Sequence, residues 1–219
     1  MGLDLYPIGR AKPGHEAEWE TLVQTLYDAK EESEDAAKRR FEISMAPWAA
    51  IGAPCVGYDP EADAWALANW PREDGMSDAA LLDDLRGYYV LELLRGKCEG
   101  LPKYTHSGMY DLDETSFRGA FLNFCEDLLG EELLITAWTD CMPPEEAMAY
   151  GKELLEIADK AARKRIVPVT KPPAQEKTKR KGADDMEELS LDEKIDILRT
   201  AGRWYIFWGK LGHPIVAWF

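Results

Sequence analysis

At 219 residues and a formal net charge of −15, the chain is long enough for one domain with a substantial core, and acidic enough to repel nucleic acid and anionic membranes. No apolar run approaches the roughly 18 residues of a membrane span. The first ten residues include Asp4 and Arg10 and do not read as a basic end followed by a long apolar leader. The charge is uneven: residues 1–163 hold 15 basic against 33 acidic side chains, 164–182 hold 7 against 1, and 183–219 hold 4 against 7. The four cysteines (Cys55, Cys98, Cys125, Cys141) are scattered without Cys-x-x-Cys spacing. That pattern points to reduced thiols in a cytoplasmic protein, not to a disulfide framework.

Taken in order, Leu3–Ile8 reads as a short strand. After Gly9–Gly14 comes a long helix with Trp19, Leu22, Val23, Leu26 and Ala29 on one face. Acidic groups ahead of Lys38, Arg39 and Arg40 extend that helix to about Ile43, and Pro47 ends it. Residues 54–70 read as a β-hairpin: Val56 and Tyr58 lead into a turn at Asp59–Asp63, and Trp65, Leu67 and Asn69 alternate after it. Ser77 caps a helix expected to run through Leu94, and Gly100–Tyr110 is a loop holding His106.

Three helical segments are expected between Asp111 and Arg165. Phe117, Phe121, Phe124 and Leu128 step by four, three and four, with Asp113 as N-cap and Gly130 as stop. After a short apolar run at Leu133–Trp138, Pro143-Pro144-Glu145-Glu146 opens the next helix, because proline and acidic groups suit a first turn. Its inner face is Ala147, Tyr150, Gly151, Leu154, Ala158 and Ala161. Residues 166–189, rich in proline and lysine, read as a flexible basic linker. Ser190 with Glu193 forms a capping box for a helix whose stripe is Ile197, Ala201, Trp204, Trp208 and Leu211, and Ile215–Phe219 supplies a last strand. The expected architecture is α+β and mainly helical. A small sheet of the N-terminal strand, the hairpin and the C-terminal strand is covered by helices. The chain divides into an acidic body (1–165), the linker (166–189) and a C-terminal helix and strand docking on the body (190–219).

Chemistry is sparsely signalled. Asp59-x-Glu61-x-Asp63 starts like a calcium loop, but Ala64 stands where the turn wants glycine and Trp70 where the bidentate glutamate belongs. His15, His106 and His213 are isolated, so no zinc spacing exists. Neither a nucleophile elbow nor a phosphate loop is present. No catalytic residue, metal or cofactor is therefore expected. The basic run Lys177–Lys181 sits beside a body too acidic for phosphate binding. Two functional readings remain. In the first, the chain is a non-enzymatic interaction or regulatory protein, of inhibitor, immunity or accessory type. It meets a basic protein partner through Glu31, Glu32, Glu34 and Asp35 on the exposed first helix. In the second, it is a small-molecule enzyme or ligand-binding domain, with an aromatic pocket near Trp48, Tyr58, Trp70 and His106.

Overall fold

The computed structural model describes residues 3–73, 75–94, 115–164 and 189–218. In chain order the elements are β1 (Asp4–Pro7), β2 (Arg10–Ala11), α1 (Glu16–Tyr27), α2 (Glu34–Glu42), β3 (Ser44–Met45), α3 (Pro47–Ala50), α4 (Pro60–Asn69), α5 (Asp78–Asp84), α6 (Glu126–Thr136), β4 (Cys141–Met142), α7 (Pro144–Lys164), α8 (Leu191–Lys210) and β5 (Ile215–Trp218). Single stretches of 3-10 helix lie at Leu91–Leu94 and Gly119–Cys125. The fold is α+β and mainly helical, with a small antiparallel sheet.

The two ends of the chain build the sheet together. β5 is its central strand, with Leu5 of β1 opposite Ala217 on one side and Met142 of β4 opposite Ile215 on the other. Along β1 burial alternates, Leu5 and Pro7 inward against Asp4 and Tyr6, which is the period of a strand with one buried face. A separate two-stranded ribbon pairs β2 with β3, Arg10 opposite Met45.

Behind the sheet, α7 and α8 lie antiparallel at very short range. A Cβ on Gly151 would stand 2.6 Å from the carbonyl oxygen of Gly202, and one on Gly202 would stand 2.7 Å from that of Gly151. About two turns away, a Cβ on Gly209 would come 2.7 Å from the Pro144 carbonyl oxygen. The approach is possible only because these positions carry no side chain. Flanking it, Trp204, Tyr205 and Trp208 are fully buried, with Phe117, Leu122, Leu154 and Leu198. Tyr150 and Tyr205 meet edge-on at 4.9 Å, a favoured aromatic geometry. Ser190 caps α8 through a reciprocal box with Glu193, and the inward residues of α7 are the six that the spacing predicts.

Several expectations are corrected. Residues 60–69 form helix α4 and not the second arm of a hairpin. Pro60 sits at the first helical turn behind Asp59, and Ala62 and Ala66, four apart, form the buried face. The Trp65-Leu67-Asn69 alternation therefore flanks a helix whose true stripe is made of alanines. The Asp59 and Asp63 carboxylates do act as turn residues, accepting from the Cys55 and Gly57 amides at 2.7 Å. A second apolar cluster (Val56, Ala62, Ala66, Leu81, Leu85, Val90) forms here. It is closed where Val56 N–H donates to the Tyr88 carbonyl and Gly87 N–H to that of Val56.

The long first helix is two helices, broken at Ala29 (φ 50°) and restarted by the Ser33 cap. Pro47 begins α3 instead of ending a helix. The helix from Ser77 stops at Asp84, where the chain turns at Leu85 and Gly87 takes φ 92°. Phe117 lies outside any helix: it exchanges both backbone hydrogen bonds with Leu5 of β1, at 2.8 and 2.9 Å. The segment after it is 3-10, so its inward residues repeat every three positions, Gly119, Leu122 and Cys125. That change of period turns Phe124 outward. Gly130 (φ 73°) kinks α6 where a stop is expected. Of the linker expected at 166–189, only Leu189 lies among the described residues, and Asp113 lies outside them.

The glycine contact is directly testable. In an exposed helix, Gly→Ala stabilises by about 1 kcal/mol. At Gly151 and Gly202 the new methyl meets a backbone carbonyl, so each Gly→Ala should instead cost about 1–3 kcal/mol in urea unfolding. A gain in stability for Gly151→Ala would contradict the close crossing.

Candidate functional site

The first helix, the β2–β3 ribbon, the start of α7 and the end of α8 enclose a cleft of about 510 Å³. One face of α1 lines it through Glu16, Trp19, Glu20, Val23 and Tyr27, a helical three-and-four spacing. Pro143, Pro144 and Glu145 face it from the first turn of α7, and Arg10, Met45, Leu211 and Gly212 close the remaining side. The floor is fixed. The Trp19 indole N–H donates to Ser44 Oγ at 2.9 Å, and that hydroxyl donates to the Arg40 carbonyl at 2.6 Å. Val23 and Ile43 are buried with Trp19 in a cluster of their own.

Arg10 is the cleft's cation, and its charge is turned to a structural use. Nη1 donates to the Leu211 carbonyl at 2.8 Å, at the C-terminal cap of α8, where the helix dipole favours a cation. The Glu16 carboxylate accepts from the Gly14 amide at 2.9 and 3.1 Å, and such backbone hydrogen bonds hold its pKa below the usual value. Glu20 and Glu145 differ: neither has a hydrogen bond or an ion pair among the described residues. Tyr27 lines the same cleft. Burial first, then the negative potential of Cys141, Glu145, Glu20 and Glu146, pushes its phenol well above the ordinary tyrosine range. Its hydroxyl also lacks a partner among the described residues. The cleft thus offers an apolar floor, two free carboxylates from two helices and a free phenol.

A second hollow, about 430 Å³, is lined by Tyr6, Leu26, Lys30, Arg40 and Cys141 among others. Its cations are already neutralised, Lys30 by Asp28 at 2.7 Å and Arg40 by Glu32 at 2.8 Å.

The residues singled out from the sequence are dispersed. Trp48 meets the buried Trp208 edge-on at 6.5 Å, Trp70 meets Tyr88 at 4.9 Å in the α4–α5 cluster, and Tyr58 is exposed on the surface. His106 lies outside the described residues. Glu31, Glu34 and Asp35 are exposed, not on the first helix but in the loop before α2 and in its first turn. Glu32 is corrected. Only 10% of its side chain is accessible, and it accepts two hydrogen bonds from Arg40 at 2.8 and 2.9 Å. The neighbouring Arg39 clamps Glu18 of α1 in the same bidentate manner.

The three cysteines among the described residues are buried. Burial pushes the Cys125 and Cys141 thiols up to about 12 and raises Cys55 as well, whereas a reactive cysteine needs its thiolate. Among the described residues no group of three or more histidine, cysteine, aspartate or glutamate side chains converges as metal ligands, and no helix is long and apolar enough to cross a membrane. Comparison with protein-family models, curated proteins and solved structures gives no match for this chain.

Beside the cleft, His213 is fully buried after Gly212. Its Nδ1 lies 2.8 Å from the Ile8 carbonyl, its Nε2 has no partner among the described residues, and its ring stands edge-on to Trp208 at 5.4 Å. A carbonyl only accepts, so Nδ1 carries a proton, and burial disfavours a second one on Nε2. Burial lowers its pKa to about 4. The unfolded chain, with an ordinary histidine near 6.5, therefore binds more protons between those values. The stabilisation is complete above about pH 6.5 and is lost as pH falls towards 4, by roughly 3 kcal/mol in all. Urea melts at pH 4 to 7 should show this slope in the parent chain, and it should be diminished in His213→Gln. Equal slopes would contradict a buried neutral imidazole.

Proposed function

We propose that this chain is a non-enzymatic interaction or regulatory protein, of inhibitor, immunity or accessory type, that recognises a basic partner through its acidic surface. The observation that carries this reading is the split among its carboxylates. Glu18, Glu32 and Glu42 are paired with Arg39 and Arg40. Glu20, Glu31, Glu34, Asp35, Glu145 and Glu146 have no counter-charge among the described residues. Fields from such uncompensated groups steer an oppositely charged partner and raise its association rate. The reading places the encounter in the cytoplasm, where the scattered cysteines stay reduced.

The test neutralises the exposed corner at the start of α2. Glu31→Gln with Glu34→Gln and Asp35→Asn should lower stability by no more than about 1–2 kcal/mol, the loss coming from the first-turn dipole interactions of Glu34 and Asp35. Association with the basic partner should slow several-fold, and binding of the parent should weaken as salt rises. Glu32→Lys alone should destabilise the fold more than the triple variant, because it sets two cations together in a half-buried site. A partner held equally well at low and high salt would contradict the proposal.

A further inference from the structure

Helix α2 is unlike its neighbours: not one of its nine residues is buried, whereas α1, α4, α5, α6, α7 and α8 each bury at least one. A helix of that length is marginal by itself and normally depends on an apolar face packed against the core. Here the support comes from the ends and from charge. Ser33 caps the first turn, and Ile43 at the other end is buried with Trp19 and Val23. Arg39 grips Glu18 of α1 at 2.7 and 2.9 Å, and Arg40 grips Glu32 at 2.8 and 2.9 Å. The helix is braced in place without contributing to the core.

What it displays follows from helical geometry. Glu34, Ala37, Lys38 and Phe41 stand at i, i+3, i+4 and i+7, so they form one stripe. Arg39, which ties the helix to α1, falls about 160° from Phe41 at 3.6 residues per turn. The stripe therefore looks away from α1. Phe41 is 80% accessible, the most exposed large hydrophobic side chain among the described residues. A lone exposed apolar residue is commonplace. This one stands on a braced helix, at the corner where Glu31, Glu34 and Asp35 lack a counter-charge among the described residues. With Lys38 counted, the corner stays negative.

We infer that Phe41 is the apolar anchor of the acidic interface: its ring enters an apolar pocket of the basic partner, and Glu31, Glu34 and Asp35 meet lysines or arginines on the rim of that pocket. The inference rests on the acidic-surface reading and deepens it. Complementary charge mainly sets orientation and association rate, while a buried aromatic anchor holds the complex together. A ring presented on a helix already fixed by two arginine clamps has little freedom left to lose on binding. Charge also decides against a second copy of this chain as the occupant. A two-fold contact through this face would set the same free carboxylates against one another.

The experiment titrates the full-length, isotope-labelled protein with a synthetic leucine–lysine peptide, its leucines at helical spacing. The comparator has serine in place of every leucine. The largest saturable shifts are expected at residues 34–43. Phe41→Ser should weaken the leucine–lysine peptide at least about five-fold and the serine–lysine peptide by less than about two-fold. Phe41→Leu should restore most of the loss. Because Phe41 is exposed, these variants should keep the parent spectrum outside α2. Largest shifts away from α2, equal binding of the leucine–lysine peptide to Phe41→Ser, or an equal loss for both peptides would each overturn the inference. So would sedimentation showing that the free chain dimerises and that Phe41→Ser abolishes the dimer. The two proposals fail separately. Salt-sensitive binding of both peptides that ignores Phe41→Ser removes the anchor and leaves the acidic surface standing. Binding of the leucine–lysine peptide that salt does not weaken removes the acidic surface, and with it the anchor for a basic partner.

Discussion

The contact on which the rest of the molecule depends is the crossing of α7 and α8 at Gly151 and Gly202. Two helix backbones meet there with no side chain between them. That closeness lets the bulky groups around it interlock: Trp204 reaches the Thr115 carbonyl with its indole N–H at 2.6 Å, and Tyr150 reaches the Leu133 carbonyl with its hydroxyl at 2.8 Å. Trp204 and Tyr150 thus satisfy their polar tips while burying their apolar bodies, whereas the buried Tyr205 hydroxyl and Trp208 indole N–H have no partner among the described residues. The same crossing sets the ends of both helices. At one end α8 runs through Leu211, Gly212 and His213 into β5, the strand that joins β1 to β4. At that end too α7 begins, with Glu145 in the wall of the cleft. The cleft geometry is therefore a consequence of the core.

The electrostatics follow a second logic. The run Lys38-Arg39-Arg40 sits in an acidic neighbourhood, and two of its three members fold back on Glu18 and Glu32 to tie α2 to α1 and to the loop between them. The exposed Arg39 pair adds little stability by itself, but it fixes which carboxylates remain uncompensated. The less accessible Arg40 pair is a positioning device as well as a neutralised one. Among the carboxylates left without a counter-charge in the described residues are Glu31, Glu34 and Asp35 at the start of α2 and Glu145 and Glu146 at the start of α7.

Much of this was legible where a helix had one dominant apolar face and punctuated ends. α7 and α8 announce themselves through Pro144 and Ser190, and their inward residues follow from spacing alone. Elsewhere the period was ambiguous. Ala62 and Ala66 carry the buried face of α4, and alanine is too weak a hydrophobic signal to outvote an alternating Trp65, Leu67 and Asn69. From Gly119 to Cys125 the chain winds with three residues per turn because Phe117 is held by β1. That long-range pairing leaves no mark in a local window. The cleft was half visible: Trp19, Val23 and Tyr27 recur at four-residue intervals, with Glu16 and Glu20 beside them. Nothing in the sequence, however, brings Glu145 to face Glu20, since that depends on pairing β4 with a strand more than seventy residues further on. Glu32 was misread for a related reason, because the break at Ala29 redirects it inward to Arg40.

Native-state hydrogen exchange would test this hierarchy most directly. If the α7–α8 crossing and β5 form the unit on which the other elements rest, then amides in the middle of α7, in α8 around Gly202 and in β5 should share one exchange free energy, equal to that of global unfolding. Amides of α1, α2 and the α4–α5 cluster should open at lower free energies. Exchange of α8 and β5 by a cheaper opening, with α7 still protected, would show that the C-terminal segment is an appendage and not the foundation of the fold.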